Sequence, residues 1–331
     1  MPLVSVIIPA YNAETTIQKT VTSVLEQSLQ DFELIIVNDG STDKTLDVIE
    51  HIVDPRIKVF SYPNSGAAVS RNRGFAQTTG EFIAFLDADD LWTPEKLEAQ
   101  WQALQENPQA QVAYSWTDII DQSGQRLGQG DYTVANGKVY AKLLLCCFIV
   151  SGSNTLIRRG AYVAVGGFDE SLVASQDFDL YLRLAARYQF VSVAAPHVLY
   201  RFSSNSMCTN IRRMEETSLA VRERAFHQAP EPLSAVLKQH SIANFYKCAL
   251  FRIMNEPLSR KRGLEIAWLL YNAIKYDPAL MRRRIVLKIV LNILIITALP
   301  SKYAKFILSE VKGLANSRAL LGYVRVDPEG L

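Results

Sequence analysis

Three carboxylates fall within four residues in F-L-D-A-D-D, residues 85–90, directly after a short apolar run. Like charges a few ångströms apart destabilise one another, so Asp87, Asp89 and Asp90 need a cation beside them. Hard oxygen ligands in a D-x-D arrangement suit Mg2+ or Mn2+ carrying a phosphate, which points to the handling of a nucleotide diphosphate. The plainer alternative is a solvated turn capping the helix that Pro94 begins, because Asp is a common N-cap.

Other polar clusters carry further chemistry. In V-N-D-G-S-T-D, residues 37–43, the ionised Asp39 is purely an acceptor, suited to a base N–H or a ribose hydroxyl; a helix-capping turn is the competing reading. S-G-A-A-V-S-R-N-R-G-F, residues 65–75, is a small-residue loop opening a helix with Arg71 and Arg73. A helix start offers N–H groups and a dipole to phosphate, and arginine adds planar charged donors. The alternative is a close-packed helix with solvated arginines, which suits Arg73 better than Arg71. In S-Q-D-F-D-L-Y-L-R, residues 175–183, Asp177 stands at the mouth of an amphipathic helix, either as a general base or as an N-cap. The first apolar run ends in S-V-I-I-P-A-Y-N, residues 5–12, without the G-x-G-x-x-G of a dinucleotide-binding turn, and no G-K-[ST] phosphate loop occurs.

These clusters need a scaffold that brings them together. The first third alternates apolar runs of strand length, at 3–9, 32–37, 57–61 and 81–86, with helical periodicity at 15–27, from 41 onward and at 67–76. Repeated β-α units give a parallel sheet with helices on both faces, and ligands bind beyond the carboxyl ends of its strands. Tyr11-Asn12, Asn38-Asp39-Gly40 and Asp87 to Asp90 all fall at such ends. Further strands are predicted at 112–116, 154–157 and 191–193, a turn at 123–125 and a helix over 178–188. From about Arg212 the chain reads as helical, punctuated by Pro230, Pro257 and Pro300.

Composition narrows the classes. The 331 residues are 49% hydrophobic and 21% charged, enough for a large core, and a net charge of +2 argues against a nucleic-acid binder. From Glu256 onward there are 13 Lys and Arg against 6 Asp and Glu, which leaves 22 against 27 of the totals of 35 and 33 in the earlier part. A basic tail on a mildly acidic body often marks a membrane-facing end. Cys146, Cys147, Cys208 and Cys248 show no metal-ligand spacing, and the start Met1-Pro2-Leu3-Val4-Ser5 lacks the regions of a secretion signal, so a reducing cytosol is expected.

In this order the blocks resemble the family 2 glycosyltransferases, over about residues 2–206. The resemblance implies a GT-A fold: an α/β, Rossmann-like, mostly parallel sheet flanked by helices, here followed by an all-helical C-terminal region. It implies a catalytic domain at 1–210, with a nucleotide-sugar part at about 1–115 and an acceptor part at about 116–210, then a helical region at 211–331. By resemblance Pro9, Ala10, Tyr11, Asn12 and Asp39 hold the nucleoside, and Arg71 lies near the base and diphosphate. Asp87 lies by the ribose, and Asp89, with Asp87, takes Mn2+ or Mg2+. Asp177 is the catalytic base in the position of the family's E-D motif, where Gln176 replaces the usual Glu. The segment 200–206 resembles a loop that closes over the substrates, with Arg201 able to reach phosphate; an exposed surface loop is the alternative.

The expected activity is inverting, metal-dependent transfer of a sugar from a nucleotide-diphosphate donor, a UDP-sugar being favoured, to a glycan or lipid-linked acceptor. Surface polysaccharide or glycoconjugate synthesis would be its setting. The alternatives are a sugar nucleotidyltransferase, whose glycine-rich loop is missing after strand 1, and an inactive sugar-nucleotide- or glycan-binding module on the same fold. The apolar run 285–299, broken by Lys288 and Asn292, is shorter than the roughly 20 residues that span a bilayer. With Arg282-Arg283-Arg284 before it, and a second amphipathic helix near 303–321 carrying Phe306, Ile307, Val311 and Leu314 on one side, it suits either peripheral contact with the inner face of the membrane or simple burial.

Overall fold

A computed structural model of the chain describes residues 1–202, 211–254, 259–310 and 318–328. The backbone divides into two compact units, one of residues 1–140 and 147–221, the other of 141–146 and 222–331.

The first unit is built on a mixed sheet of nine strands in the order β3-β2-β1-β4-β8-β6-β9-β5, with β7 paired to β6. Its parallel half comprises β1 (Val4–Ala10), β2 (Phe32–Asn38), β3 (Ile57–Ser61) and β4 (Phe82–Phe85). The helices α1 (Ile17–Leu25), α2 (Thr45–Glu50) and α3 (Ala67–Phe75) connect them. β1 is apolar except for Ser5 because both of its faces are covered. Val4, Val6 and Ile8 share one core with Ile17, Val21 and Val24 of α1. On the opposite face Ile7 meets α3 at Gly74, where a Cβ would come within 2.5 Å of the Ile7 Cγ2.

The second half starts with β5 (Leu91–Trp92) and α4 (Lys96–Glu106) and continues through β6 (Ala110–Ile120) and β7 (Arg126–Gln129). β8 (Leu156–Arg158), α6 (Arg159–Ala164), α7 (Gln176–Ala185) and β9 (Gln189–Arg201) complete it, while α5 (Tyr140–Leu145) belongs almost wholly to the second unit. β8 runs antiparallel to both β4 and β6, so the sheet is parallel only in part. The strands expected at 112–116 and 191–193 are much longer than their apolar runs, because β6 and β9 pair in parallel along most of their length with register shifts near Ser115 and Trp116. The predicted turn at 123–125 closes with a bond from Gly124 N–H to the Asp121 carbonyl.

The second unit is helical. α8 (Ile211–His227) enters it after Val221, and α9 (Ala235–Met254), α10 (Arg260–Tyr276), α11 (Arg284–Ala298) and α12 (Ser301–Glu310) follow. Its interior includes a lysine: Lys247, fully buried, donates to Asp277 Oδ2 and to the Tyr323 carbonyl, each at 2.8 Å. Of the helix expected near 303–321, α12 covers the start through Glu310, and the far end at Arg318–Tyr323 is a 3-10 turn. Val311 and Leu314 lie outside the described residues. No helix among the described residues is long and apolar enough to cross a membrane.

Candidate active site

Parallel pairing sets the ends of β1 and β2 side by side, Ala10 opposite Asn38, while Ile7 lies opposite Phe85 at the end of β4. The polar clusters therefore emerge along one edge of the sheet. Asn12 ties two of the loops together: its N–H reaches Ser41 Oγ at 3.1 Å and its Oδ1 accepts from Thr42 N–H at 2.8 Å. Its backbone is left-handed (φ 48°), a conformation that Asn tolerates better than most residues. Tyr11 beside it is exposed, Pro9 is half-buried and Ala10 is buried.

Asp39 is buried and accepts the N–H groups of Ser65 and Gly66, both at 2.9 Å. It thus fixes the loop before α3 and caps no helix of its own, since the residue flanking the start of α2 is Lys44. Arg73, the more exposed of the two arginines, stacks over Tyr62 and donates to the Pro63 carbonyl.

Arg71 is placed differently. Its side chain is 3% exposed and lies over the Phe168 ring. Nη2 donates to Asp87 Oδ1 at 2.5 Å; Nη1 donates to Gln176 Oε1 at 3.2 Å and stands 3.4 Å from Asp177 Oδ1. Burial alone would lower the guanidinium pKa, but Asp177 and Asp87 outweigh it and hold the charge. The next residue, Asn72, fixes the ring beneath: it donates to the Phe168 carbonyl at 2.9 Å and accepts from its N–H at 3.0 Å. That pair of bonds joins the S-R-N and G-G-F-D blocks.

The acidic turn is wired to its surroundings. Ser153 Oγ accepts from Asp87 N–H at 3.0 Å and donates to Asp90 Oδ2 at 2.5 Å. Asp90, fully buried, also accepts from Arg201 N–H at 2.9 Å. Burial, with Asp89 and Asp87 close by, pushes its pKa well up. The turn leads into β5 and does not cap α4, which begins only at Lys96 with no capping side chain. Asp89 differs from its neighbours: among the described residues its carboxylate receives only its own backbone N–H. Burial first, and Asp87 second, push it up to about 6.

Donor chemistry allows a test of the expected metal. No group of three or more His, Cys, Asp or Glu among the described residues is arranged to hold an ion. An ion here would take one or two carboxylates, Asp89 and Asp87, and complete its shell with phosphate and water oxygens. Mg2+ habitually binds that way. A half-buried carboxylate without an external donor fits such a shared cation.

Asp177 lies in the first turn of α7, behind Ser175, whose backbone is also left-handed (φ 56°). Its Oδ1 is buried and has no hydrogen-bond partner. Burial raises its pKa, Arg71 lowers it and Asp87 raises it again, for a net rise. It therefore is no N-cap. One turn on, Tyr181 donates to the Ser151 carbonyl at 2.9 Å and so fixes the segment facing Asp177. In that segment a Cβ on Gly152 would fall 2.7 Å from Asp177 Oδ1.

Arg201 ends β9 as a 2% exposed side chain. Nε donates to the Asp89 carbonyl at 2.6 Å and Nη1 to the carbonyls of Asp121 and Gln122 at 2.6 and 2.8 Å. Residues Ser203 to Ser206 of the expected closing loop lie outside the described residues. Sequence reasoning missed Ser153 and Gly152; the run S-G-S-N at 151–154, small and polar beside a predicted strand, was the available signal.

The structure thus brings Arg71, Asp87, Gln176 and Asp177 into one cluster at the strand ends of an α/β sheet. The chain matches the family described as "Glycosyltransferase like family 2" over residues 5–251, and it belongs to that family. It is 47% identical over 131 residues to a putative teichuronic acid biosynthesis glycosyltransferase of Bacillus subtilis, covering 38% of this chain and 51% of that protein. It is 44% identical over 110 residues to an uncharacterized glycosyltransferase of Haemophilus influenzae, covering 32% of this chain and 44% of that one. These matches thus span about half the length of those relatives. In fold it is similar to S. aureus TarS in complex with UDP, with a TM-score of 0.56 at 19% identity, covering 83% of this chain and 88% of that one. TarS in complex with UDP-GlcNAc has a TM-score of 0.53 at 19% identity, covering 98% and 90%.

Proposed function

We propose that this protein is an inverting glycosyltransferase that moves a sugar from a nucleotide-diphosphate donor, a UDP-sugar, to a hydroxyl of a glycan or lipid-linked acceptor in polysaccharide or glycoconjugate synthesis. The observation that carries this reading is the sharing of Arg71 between Asp87 and Asp177. It joins a carboxylate of the D-x-D turn to one whose Oδ1 lacks a hydrogen-bond partner.

Asp177 is the general base. A carboxylate with a raised pKa takes a proton more readily than an ordinary one, provided it is ionised when the acceptor arrives. It removes the proton of the acceptor hydroxyl as that oxygen attacks the anomeric carbon. The bond from that carbon to the diphosphate breaks on the opposite face and the diphosphate leaves with the electron pair. One displacement inverts the centre, and no second carboxylate is needed as a nucleophile. Tyr11, Asn12 and Asp39 line the nucleoside side, and Arg201 orders the D-x-D turn through the Asp89 carbonyl. Asp89 and Asp87 would hold Mn2+ or Mg2+, which when bound would supply positive charge beside the leaving diphosphate. A UDP donor is favoured by the ligands of the TarS structures. The same reading puts the reaction in the cytoplasm at the inner face of the membrane, in keeping with Cys146, Cys147 and Cys248 forming no disulfide; Cys208 lies outside the described residues.

The test is a panel of nucleotide sugars assayed for hydrolysis with Mn2+ or Mg2+, using wild type, Asp89→Ala and Asp177→Asn. Metal-dependent release of a nucleoside diphosphate in the wild type, lost in both variants, is expected and names the donor. Donor binding without turnover in all three proteins, with mixed glycan acceptors present, would leave only a binding module.

A further inference from the structure

The helices of the second unit carry an apolar face that their packing does not use. α10 buries Ile266, Leu269, Leu270 and Ala273, and α11 buries Ile285, Val286, Ile289 and Ile296. One such face is enough to hold a helix in a fold. Each helix nevertheless has a second apolar stripe turned to solvent. On α10 it is Leu264, Trp268 and Tyr271; on α11 it is Leu287, Leu291 and Leu294. Both follow the spacing i, i+4, i+7, so each set lies on a single side of its helix. Leu264 is 68% exposed and Leu287 73% exposed, far beyond what isolated surface apolar residues account for when they recur in register. α12 continues the pattern with exposed Tyr303 and Phe306.

The charge around these stripes has one sign. Residues 260–310 contain ten Lys and Arg against three Asp and Glu. Of those acids, Glu265 pairs with Arg262 at 3.6 Å and Asp277 with Lys247 at 2.8 Å. The exposed basic residues sit at the stripe ends: Lys261 and Lys275 at either end of the α10 stripe, and Arg282, Arg283 and Arg284 ahead of that on α11, with Lys288 on its flank. Leucines flanked by basic residues, with Trp and Tyr among them, match the cross-section of a bilayer surface, where acyl chains meet an anionic headgroup layer. A second copy of the chain is a poorer partner. Isologous pairing through these stripes would set the basic rim against itself, whereas anionic headgroups neutralise it.

We propose that the stripe of Leu287, Leu291 and Leu294 on α11 docks in the plane of an anionic lipid surface, with Arg282, Arg284 and Lys288 on the headgroups. The proposal does not depend on the transfer chemistry and stands or falls separately from it.

Flotation of the full chain with phosphatidylcholine vesicles, with or without added phosphatidylglycerol, tests it. The wild type is expected to float with the anionic vesicles, to stay behind with the neutral ones, and to be released by salt. Replacing three exposed leucines, in Leu287→Ser/Leu291→Ser/Leu294→Ser, should weaken binding about a hundredfold or more. Arg282→Ala/Arg284→Ala should weaken it about fivefold per residue. These positions are exposed, so circular dichroism melts should match the wild type and separate lost docking from lost folding. The proposal is overturned if the wild type fails to float with anionic vesicles, floats equally with neutral ones, or keeps its binding after the leucine changes. It is also overturned if sedimentation shows a dimer that the leucine changes dissolve while no vesicle binding occurs, because the face would then belong to a second copy.

Discussion

Arg71 Nη2 lies 2.5 Å from Asp87 Oδ1, and the guanidinium that makes this bond is 3% exposed. Its other arm reaches Asp177 and Gln176. A buried cation shared by two carboxylates fixes their separation, so the D-x-D turn and Asp177 on α7 are set by one side chain.

Arg71→Met should therefore do two things. Breaking a fully buried ion pair from one side costs about 3–5 kcal/mol, and less is expected here because Asp87 and Asp177 are only partly buried. A lower melting temperature is expected, with some recovery in Arg71→Lys. Arg71 also lowers the Asp177 pKa against burial, so its loss lets that pKa climb. A base must be ionised to act, and the acid limb of the pH–rate profile should move to higher pH. An unchanged acid limb together with weaker diphosphate binding would instead make Arg71 a phosphate ligand.

Asp89 gives a second prediction, with a sign that can be checked. Its folded pKa of about 6 lies above the unperturbed value, so ionising it opposes folding. Without metal, stability should increase as pH falls from about 7 through 6 towards about 4, where the unfolded chain also becomes protonated. A divalent ion with a nucleoside diphosphate favours the ionised form. It should raise the melting temperature at neutral pH and do so less at pH 5. Asp89→Asn should stabilise the metal-free protein at neutral pH and abolish the response. Thermal melts with Mn2+ or EDTA at both pH values decide it; a metal response that survives in Asp89→Asn would remove Asp89 as a ligand.

The parallel half of the sheet was legible because its strands are short, apolar on both faces and separated by helical periodicity; 57–61 matches β3 to the residue. β6 and β9 were not, since their middles hold polar and bulged positions, such as Ser115 and Pro196, that pairing supports and propensity does not. In the site, Asp89 stands out by its D-x-D spacing, whereas Asp177 by spacing alone suits an N-cap and is set apart only by the family resemblance. The role of Ser153 is invisible in sequence because it depends on β8 running antiparallel beside β4, which delivers a serine between Asp87 N–H and Asp90. Asp39 and Arg71 were found by motif, but their loads, two loop N–H groups and two carboxylates, are set by tertiary contacts.

Gln176 leads to a third prediction. Its Nε2 donates to the Leu172 carbonyl at 2.8 Å while its Oε1 accepts from Arg71. Gln176→Glu removes that donor and sets a carboxylate beside Asp177 that competes for Arg71. Like-charge repulsion raises the base pKa, so the acid limb of the rate profile should shift upward, with donor KM little altered. The pH–rate profile of donor hydrolysis reads this directly; a change in donor KM alone would place Gln176 on the donor.

Gly152→Ala tests how tightly the base is held. The added methyl would lie 2.7 Å from Asp177 Oδ1 and 3.1 Å from its Cγ, against a segment that Tyr181 holds in place through the Ser151 carbonyl. The carboxylate is the freer of the two and should move. A displacement of this kind at a reacting group costs on the order of a hundredfold in rate. The methyl would also stand 3.2 Å from Arg71 Nη2, a looser approach than the one to Asp177; the expected result is a fall in kcat that exceeds any fall in nucleotide affinity, since Asp39 is untouched. If affinity for the nucleoside diphosphate fell in parallel, the segment at Gly152 would belong to the donor pocket, and the assignment of Asp177 as a base held apart from it would fail.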